Sequence, residues 1–431
     1  MSVDRPNGKN AGITPHIPSE TAVLLHGMKP TTEGLSALRE SWMDKIIDLV
    51  SGIPPKVPPF RMIKHQINLI DLNKWIHYRL PKCPDTLKEE LAEKIIHYTS
   101  TGWWVPATVQ QAVPRLCVLK KNGKLRTVFD LHMQNENTEK DISPFLDQDT
   151  IQHDIARAAY RSKLDMSEVY KQIRVRPEDV PKTAFATIFG TFISLVMQQG
   201  DCNAPSTFQT LMTVVFCDYI ARFIHVYLDD IFIYSSSIEE HENHLELVFN
   251  NCAKHSCTYI SQDKVDLYSQ RMDCLSHIIS DVGIHTCVDK MQNIWDWRQP
   301  HNYHDVQRFL GLIQYLAHFL LDITAYTSPL LTCVQNRRPF VWTPLLNKCF
   351  ESIKTLTCKA PILKPIDASN PEPIWVICDG SKSGVGALYR QGPDWQSCRP
   401  AGFLSKKFSS AAQNYCTHEY ETIAILEALI M

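Results

Sequence analysis

The feature that most constrains this chain is a pair of adjacent carboxylates, Asp229 and Asp230, set between two apolar runs, FIHVYL and IFIYS. Such β-branched and aromatic runs favour strands. Two strands separated by two residues form a hairpin, so the pair is expected at its tip. Neighbouring carboxylates repel, and apolar flanks lower the local dielectric and sharpen that repulsion. A divalent cation seated on them would relieve it. A solvated Asp-Asp turn is the bland alternative, because aspartate is a favoured turn residue. A third carboxylate, Asp165, ends the run RSKLD upstream and precedes MSEVYKQIRV, a strand passing into a helix-like segment. Two-metal phosphoryl transfer needs carboxylates brought together from separate strands, with one ion activating the attacking oxygen and the other neutralising the leaving phosphates.

The rest of the chain mixes helices and strands, which predicts α+β or α/β layers. A polar, proline-rich leader to about residue 60 carries one short helix over residues 35–50. Thr86 and Glu89 form a capping box before a helix with Leu87, Leu91, Ile95 and Tyr98 on one face. RLCVLK, the turn KNGK and LRTVFD read as a hairpin, with Asn122-Gly123 at its tip and Lys120, Lys121, Lys124 and Arg126 around it. Ser206 with Gln209 predicts a helix start for residues 206–220, Ser237 with Glu240 another, and Asn302 a third. After a proline-spaced edge (Pro361, Pro365, Pro371, Pro373), IWVIC reads as a strand ending at Asp379. GVGALYR follows as a second strand after the turn Gly380 to Ser383, and a terminal helix begins near Thr417.

Hydrophobic residues at 44% and charged residues at 21% exclude collagen-like, disordered and coiled-coil classes. The net charge of −2, from 44 basic against 46 acidic residues, argues against a protein that lives by non-specific grip on phosphate. No apolar run approaches the length of a membrane span, so no membrane partner is expected. The 14 cysteines include no C-x-x-C pair and the N-terminus is polar, which predicts reduced, mostly buried thiols in an intracellular chain.

Several motifs follow one another in a family order: LKKNGKLRTVFD, KLDMSEVYKQIRV, KTAFATIFGTF, GDCNAPSTFQTLM, HVYLDDIFIYS, GIHTCVDKMQNIWDW, VQRFLGLIQYLAHF, ICDGSKSGVGA and SKKFSSAAQNYCTHEYETIAI. Together, over about residues 60–431, they resemble the reverse transcriptase and RNase H-like region of Pol polyproteins of Gypsy-type LTR retrotransposons. The variant MQQGDCNAP is similar to that of fungal elements. The resemblance implies a right-hand polymerase: a leader over 1–60, fingers and palm over 61–275, connection and thumb over 276–337, and an incomplete RNase H-like α/β domain over 338–431.

It also assigns roles by position. Asp165, Asp229 and Asp230 match the catalytic triad, and the Met166 carbonyl would join them on the metals, two Mg2+ ions or Mn2+ in their place. Tyr170 matches an aromatic ring beneath the incoming sugar that excludes a 2′-hydroxyl; a core tyrosine is the alternative. Arg126 matches the arginine that holds the triphosphate, with Lys120 and Lys121 beside it, and a planar guanidinium suits paired phosphate oxygens. Gln199 falls where the nucleotide ribose is met, and Asn203, Ala204 and Pro205 begin the helix behind it.

Asp379 and Glu421 match two of the four acidic residues of an RNase H site. With the others beyond Met431, RNase H activity is expected to be lost through truncation. Three positions depart from the pattern: His132 for an arginine, Ser276 for a glycine and Gly380 for an alanine.

The expected reaction is attack of a primer 3′-hydroxyl on the α-phosphate of a dNTP, with an RNA template and a DNA primer as partners. The alternative is a catalytically dead or co-opted remnant that binds RNA–DNA without polymerising. The expected location is cytoplasmic, with a virus-like particle or the nucleus as alternatives.

Overall fold

The structure, a computed structural model, describes residues 31–50, 56–74, 81–119, 125–143, 146–255, 259–335, 340–381, 384–409 and 412–430. The chain divides into two compact units, residues 1–47 and 48–431. The first contributes one described helix of length, α1 (Thr32–Lys45), capped by the Thr31 hydroxyl on the Gly34 N–H. The expected leader helix is therefore present.

The second unit opens with α2 (Lys88–Ser100), which buries Leu91, Ile95 and Tyr98 as its periodicity requires. The Thr86–Glu89 capping box does not form, because residues 85–87 make a 3-10 turn and the helix starts later. Glu90 is used instead, accepting from the Leu125 N–H at 2.8 Å and so tying α2 to the sheet beside it. That sheet contains β1 (Trp104–Pro106), β2 (Val113–Leu119) and β3 (Leu125–Phe129). β2 and β3 pair antiparallel with Leu119 opposite Leu125, as the hairpin reading requires; its tip, with Lys120, Lys121, Lys124 and Asn122-Gly123, lies outside the described residues.

Next come α3 (Gln148–Arg157), β4 (Tyr160–Asp165), β5 (Phe185–Thr187) and β6 (Gly190–Ser194). The last two complete a five-stranded sheet in the order β1-β6-β5-β2-β3. The helix α4 (Ala204–Phe216) leads to β7 (Ile224–Tyr227) and β8 (Asp230–Ser235), then to α5 (Ile238–His255). β4, β8 and β7 form a three-stranded antiparallel sheet with β8 in the middle. Ile231, Phe232 and Ile233 of this central strand are fully buried, consistent with cover on both faces.

A second antiparallel sheet follows, β9 (Arg271–Cys274), β10 (His277–Ser280) and β11 (Gly283–Thr286), then the helices α6 (Val288–Trp295), α7 (Tyr303–Gln314), α8 (Ile323–Gln335) and α9 (Pro344–Cys358). The chain finishes with a sheet of β12 (Ile374–Ser381), β13 (Gly384–Gln391) and β14 (Pro400–Lys407), covered by α10 (Thr417–Ile430). One continuous apolar core runs from Ile151 and Phe232 through Phe309 and Phe350 to Phe403 of the last sheet. Burying each such ring is worth roughly 1.5–3 kcal/mol, so this core couples the polymerase-like part to the C-terminal sheet.

The described cysteines are all free, but only Cys252, Cys274 and Cys349 are buried. The expectation of mostly buried thiols is corrected: Cys217, Cys358 and Cys416 sit at helix ends, where cover is thin. Among the described residues no helix is long and apolar enough to cross a membrane.

Candidate active site

The three carboxylates converge on the β4–β8–β7 sheet. Asp165, the last residue of β4, stands directly opposite Asp230 in the antiparallel ladder, and Asp230 also pairs with Tyr227. The hairpin turn is therefore Leu228-Asp229 rather than Asp229-Asp230, and Asp230 opens β8. Leu228 takes a left-handed backbone, φ +54°, as the first residue of a tight two-residue turn demands. The Asp229 carbonyl accepts from the Met166 N–H at 2.9 Å, which fixes the turn against the end of β4.

Sequence reasoning missed the residue that holds this turn. Gln209 does not cap α4, because that helix begins earlier, at Ala204 behind Asn203. Buried instead, the Gln209 side chain donates from Nε2 to the Val226 carbonyl and accepts on Oε1 from the Leu228 N–H, both at 3.1 Å. A glutamine beside Phe208, Leu211 and Met212 on the apolar part of a helix was the available signal, since a buried amide must find partners.

Two ammonium groups serve the carboxylates. Lys163 Nζ lies 2.9 Å from Asp230 Oδ1, and Lys264 Nζ 2.8 Å from Asp165 Oδ2. Asp230 is held above the ordinary aspartate range, first by burial and also by the charges of Asp229 and Asp165, while Lys163 pulls it down. Lys264 is raised, chiefly by its hydrogen bond to Asp165. Three converging carboxylates, two of them ion-paired with lysines, form a donor set of hard oxygens, which suits a divalent ion such as magnesium. Among the described residues no three acidic, His or Cys side chains already stand in ligand positions. The residues fit the metal pair chemically, with the two lysines occupying the place of its charge.

Beside the triad lies a cavity of about 410 Å³, whose lining includes Arg126, Tyr170 and Gln199. Three of the five candidate nucleotide contacts thus meet in one place, while Lys120 and Lys121 lie outside the described residues. Tyr170 is half-buried, and its hydroxyl is pushed up in pKa by burial and then by the Asp229 charge, which places the ring next to the triad. Gln199 is exposed at the cavity edge, whereas its neighbour Gln198 is buried and bonded to the Thr183 carbonyl.

The departures from pattern sit in distinct local settings. His132 pairs with Asp130 at 2.7 Å. Ser276 and Leu275 both take left-handed backbones, φ +74° and +47°, in the β9–β10 turn, where glycine would be unstrained. Gly380 has no room for an alanine: a Cβ there would lie 2.4 Å from the Tyr420 carbonyl oxygen on α10. That contact brings the chain neighbours Asp379 and Glu421 to the same strand–helix junction, both exposed. Asp379 lies inside β12 rather than at its end, because the strand continues to Ser381.

A right-hand palm with paired acidic strands defines the class, and comparison with known proteins agrees. Residues 118–280 match the family model "Reverse transcriptase (RNA-dependent DNA polymerase)", and residues 342–430 match "RNase H-like domain found in reverse transcriptase". The chain therefore carries a reverse transcriptase domain followed by an RNase H-like domain. It is 29% identical over 379 residues to the Transposon Tf2-3 and Tf2-7 polyproteins of Schizosaccharomyces pombe, a match covering 87% of this chain and 28% of each relative. It thus spans little more than a quarter of the curated relatives' length. The fold is shared with foamy viral protease-reverse transcriptase in complex with dsDNA: TM-score 0.77, 20% identity, 97% of this chain and 86% of that one. For the same enzyme in complex with RNA/DNA hybrid the values are 0.73, 19%, 99% and 57%.

Proposed function

We propose that this chain is an RNA-directed DNA polymerase that extends a DNA primer on an RNA template with dNTPs. The observation that carries the reading is the placement of Asp165 opposite Asp230, with Asp229 on the adjoining turn, beside a cavity lined by Arg126, Tyr170 and Gln199. Asp165, Asp229 and Asp230, with the Met166 carbonyl, would hold two magnesium ions. Bound there, such ions supply activation of the primer 3′-hydroxyl and neutralisation of the triphosphate and departing pyrophosphate. Arg126 binds triphosphate oxygens through its planar fork. The Tyr170 ring closes the space a 2′-hydroxyl would need, and Gln199 meets the sugar edge. Lys163 and Lys264 neutralise the triad before metal arrives.

The RNase H-like part brings Asp379 and Glu421 to one strand–helix junction, and two carboxylates are fewer than a two-metal hydrolytic site uses. We propose that it adds no hybrid cleavage in this chain.

Asp229→Asn should abolish primer extension on an RNA template by the purified chain. Unchanged extension sinks the assignment. Filter binding of RNA–DNA by a wild-type chain that extends nothing would instead favour the non-polymerising remnant.

A further inference from the structure

Two thiols from distant parts of the chain meet beside the β2–β3 hairpin. Arg115 and Cys117 flank the exposed Leu116 on β2, so strand alternation sends both to the opposite, inner side. Arg115 stands among the rings of Trp104, Phe129 and Phe185, its guanidinium carbon 4.1, 4.9 and 5.5 Å from their centroids. Cys117 packs against the apolar cluster that contains Leu91 of α2 and Leu125 of β3. Cys83, two residues before the 3-10 turn that leads into α2, packs against the same cluster.

There the Cys117 thiol is hydrogen-bonded to that of Cys83. The Cys83 thiol donates in turn to the Pro84 carbonyl at 3.6 Å, which leaves its sulfur lone pairs to accept from Cys117. Both thiols are free and both are partly exposed, unlike the buried Cys252, Cys274 and Cys349. Packed thiols often serve only as small apolar groups. Two sulfurs in contact at a half-open site have a further chemistry, because the fold has already met most of the entropy of bringing them together.

We propose that Cys83 and Cys117 are a redox pair that closes reversibly to a disulfide, with a low-molecular-weight disulfide such as oxidised glutathione as the oxidant. Cys83 reacts first, since burial and then the Cys83 contact hold Cys117 as a thiol, pushed up to about 12. Its sulfur, having lost its proton to solvent, attacks one glutathione sulfur, breaks that S–S bond and releases one glutathione. Cys117 then gives up its proton, attacks the Cys83 sulfur in the mixed disulfide and releases the second glutathione. The two protein thiols lose two electrons and two protons, and one oxidised glutathione becomes two thiols. The new bond would fasten the chain just before α2 to the middle of β2. It would add to the Glu90 carboxylate that already accepts from the Leu125 N–H of β3 at 2.8 Å, and so fix the hairpin that brings Arg126 to the cavity. The bond does not rest on the polymerase reading.

The test is peptide mapping by mass spectrometry of the full chain, equilibrated in glutathione redox buffers and quenched by alkylation. Wild type should yield a peptide pair joined through Cys83 and Cys117, and dithiothreitol should separate it. The bond closes a loop of about 34 residues, and what it contributes to the fold the fold returns to the bond. Half-oxidation of the pair should therefore need roughly thirty to a thousand times less oxidant in the folded chain than in urea. Oxidation should also raise the melting temperature by a few degrees in wild type and in Cys416→Ser, whose thiol lies elsewhere, but not in Cys83→Ser. Should Cys83→Ser not fold, Cys117→Ala carries the same comparison. Absence of the joined pair, glutathione left standing on Cys83, or equal oxidant demand in buffer and urea overturns the proposal. Primer extension plays no part in these readouts, so a chain that forms the bond yet extends no primer counts against the polymerase reading alone.

Discussion

Replacing Gln209 with Leu tests whether the catalytic turn is held from behind. The side chain is 4% exposed and bridges the last residues before the turn, donating to Val226 and accepting from Leu228, each at 3.1 Å. Two such bonds are worth about 2 kcal/mol net, and leaving a buried carbonyl and N–H unpaired raises the cost to about 2–4 kcal/mol. The Leu228 backbone sits in a left-handed conformation that costs roughly 1–2 kcal/mol for a residue with a Cβ. With its anchor gone, the turn relaxes and Asp229 moves relative to Asp165. A shift of about 1 Å at reacting groups costs roughly a hundredfold in rate. Urea unfolding and single-nucleotide primer extension measure the two effects separately. Stability within about 0.5 kcal/mol of wild type together with undiminished extension would refute the argument, since it would mean the turn holds its shape without the bridge.

Three further outcomes follow from the same geometry. Tyr170→Val, which opens the wall beside Asp229, should lower the preference for dNTP over rNTP by roughly tenfold to a hundredfold in competitive incorporation; unchanged selectivity would remove the ring from that role. His241 is fully buried between the Ser162 and Ser235 hydroxyls, and its pKa is pushed down to about 3, first by burial and then by the His244 charge. Its unfolded value is near 6.5, so the stability it confers is intact above that pH and is lost as pH falls from about 6.5 towards 3, at up to about 1.4 kcal/mol per unit. His277, pushed down to about 4, acts in the same direction; urea midpoints at pH 7.5 and 5.5 should differ less in His241→Gln than in wild type. Gly380→Ala should cost about 1–3 kcal/mol by driving α10 off β12, read as a lowered urea midpoint of the full chain.

How much of this was legible in the sequence depended on whether a motif was satisfied locally. Asn302 caps α7 through the Asp305 N–H, and Ser237 bonds the Glu240 N–H at the start of α5, because both partners lie within one turn. The same pattern misled at Thr86–Glu89, where a 3-10 turn over 85–87 delays the helix, and at Ser206–Gln209, where the distant backbone of Val226 and Leu228 took the Gln209 side chain. Asp229 and Asp230 stood out because apolar strands leave few places for charge. Asp165 became a partner only through the β4–β8 register, which no local pattern encodes. Arg115 was invisible for a similar reason. In VPRLCVL it is one side chain of a strand, and only the order β1-β6-β5-β2-β3 brings Trp104 and Phe185 around it.

The basic run from Arg161 to Lys182 shows why average charge says little about grip on a polyanion. Arg161 is held by Asp281, Lys163 by Asp230 and Lys171 by Glu168, while Arg176 and Lys182 share the buried Asp179. Arg174 stacks on the Phe60 ring, with its guanidinium carbon 3.7 Å from the centroid. Most basic residues of this run are thus counterions to acids of the fold itself, of which Asp179 is fully buried. Charge so paired neither repels itself nor releases counterions from a phosphate backbone. The cavity beside the triad is lined by Lys94, Arg115, Arg126 and Lys171 against one acid, Glu168, which Lys171 already engages. A near-neutral chain can thus present a strongly cationic pocket, because its acids have been spent elsewhere.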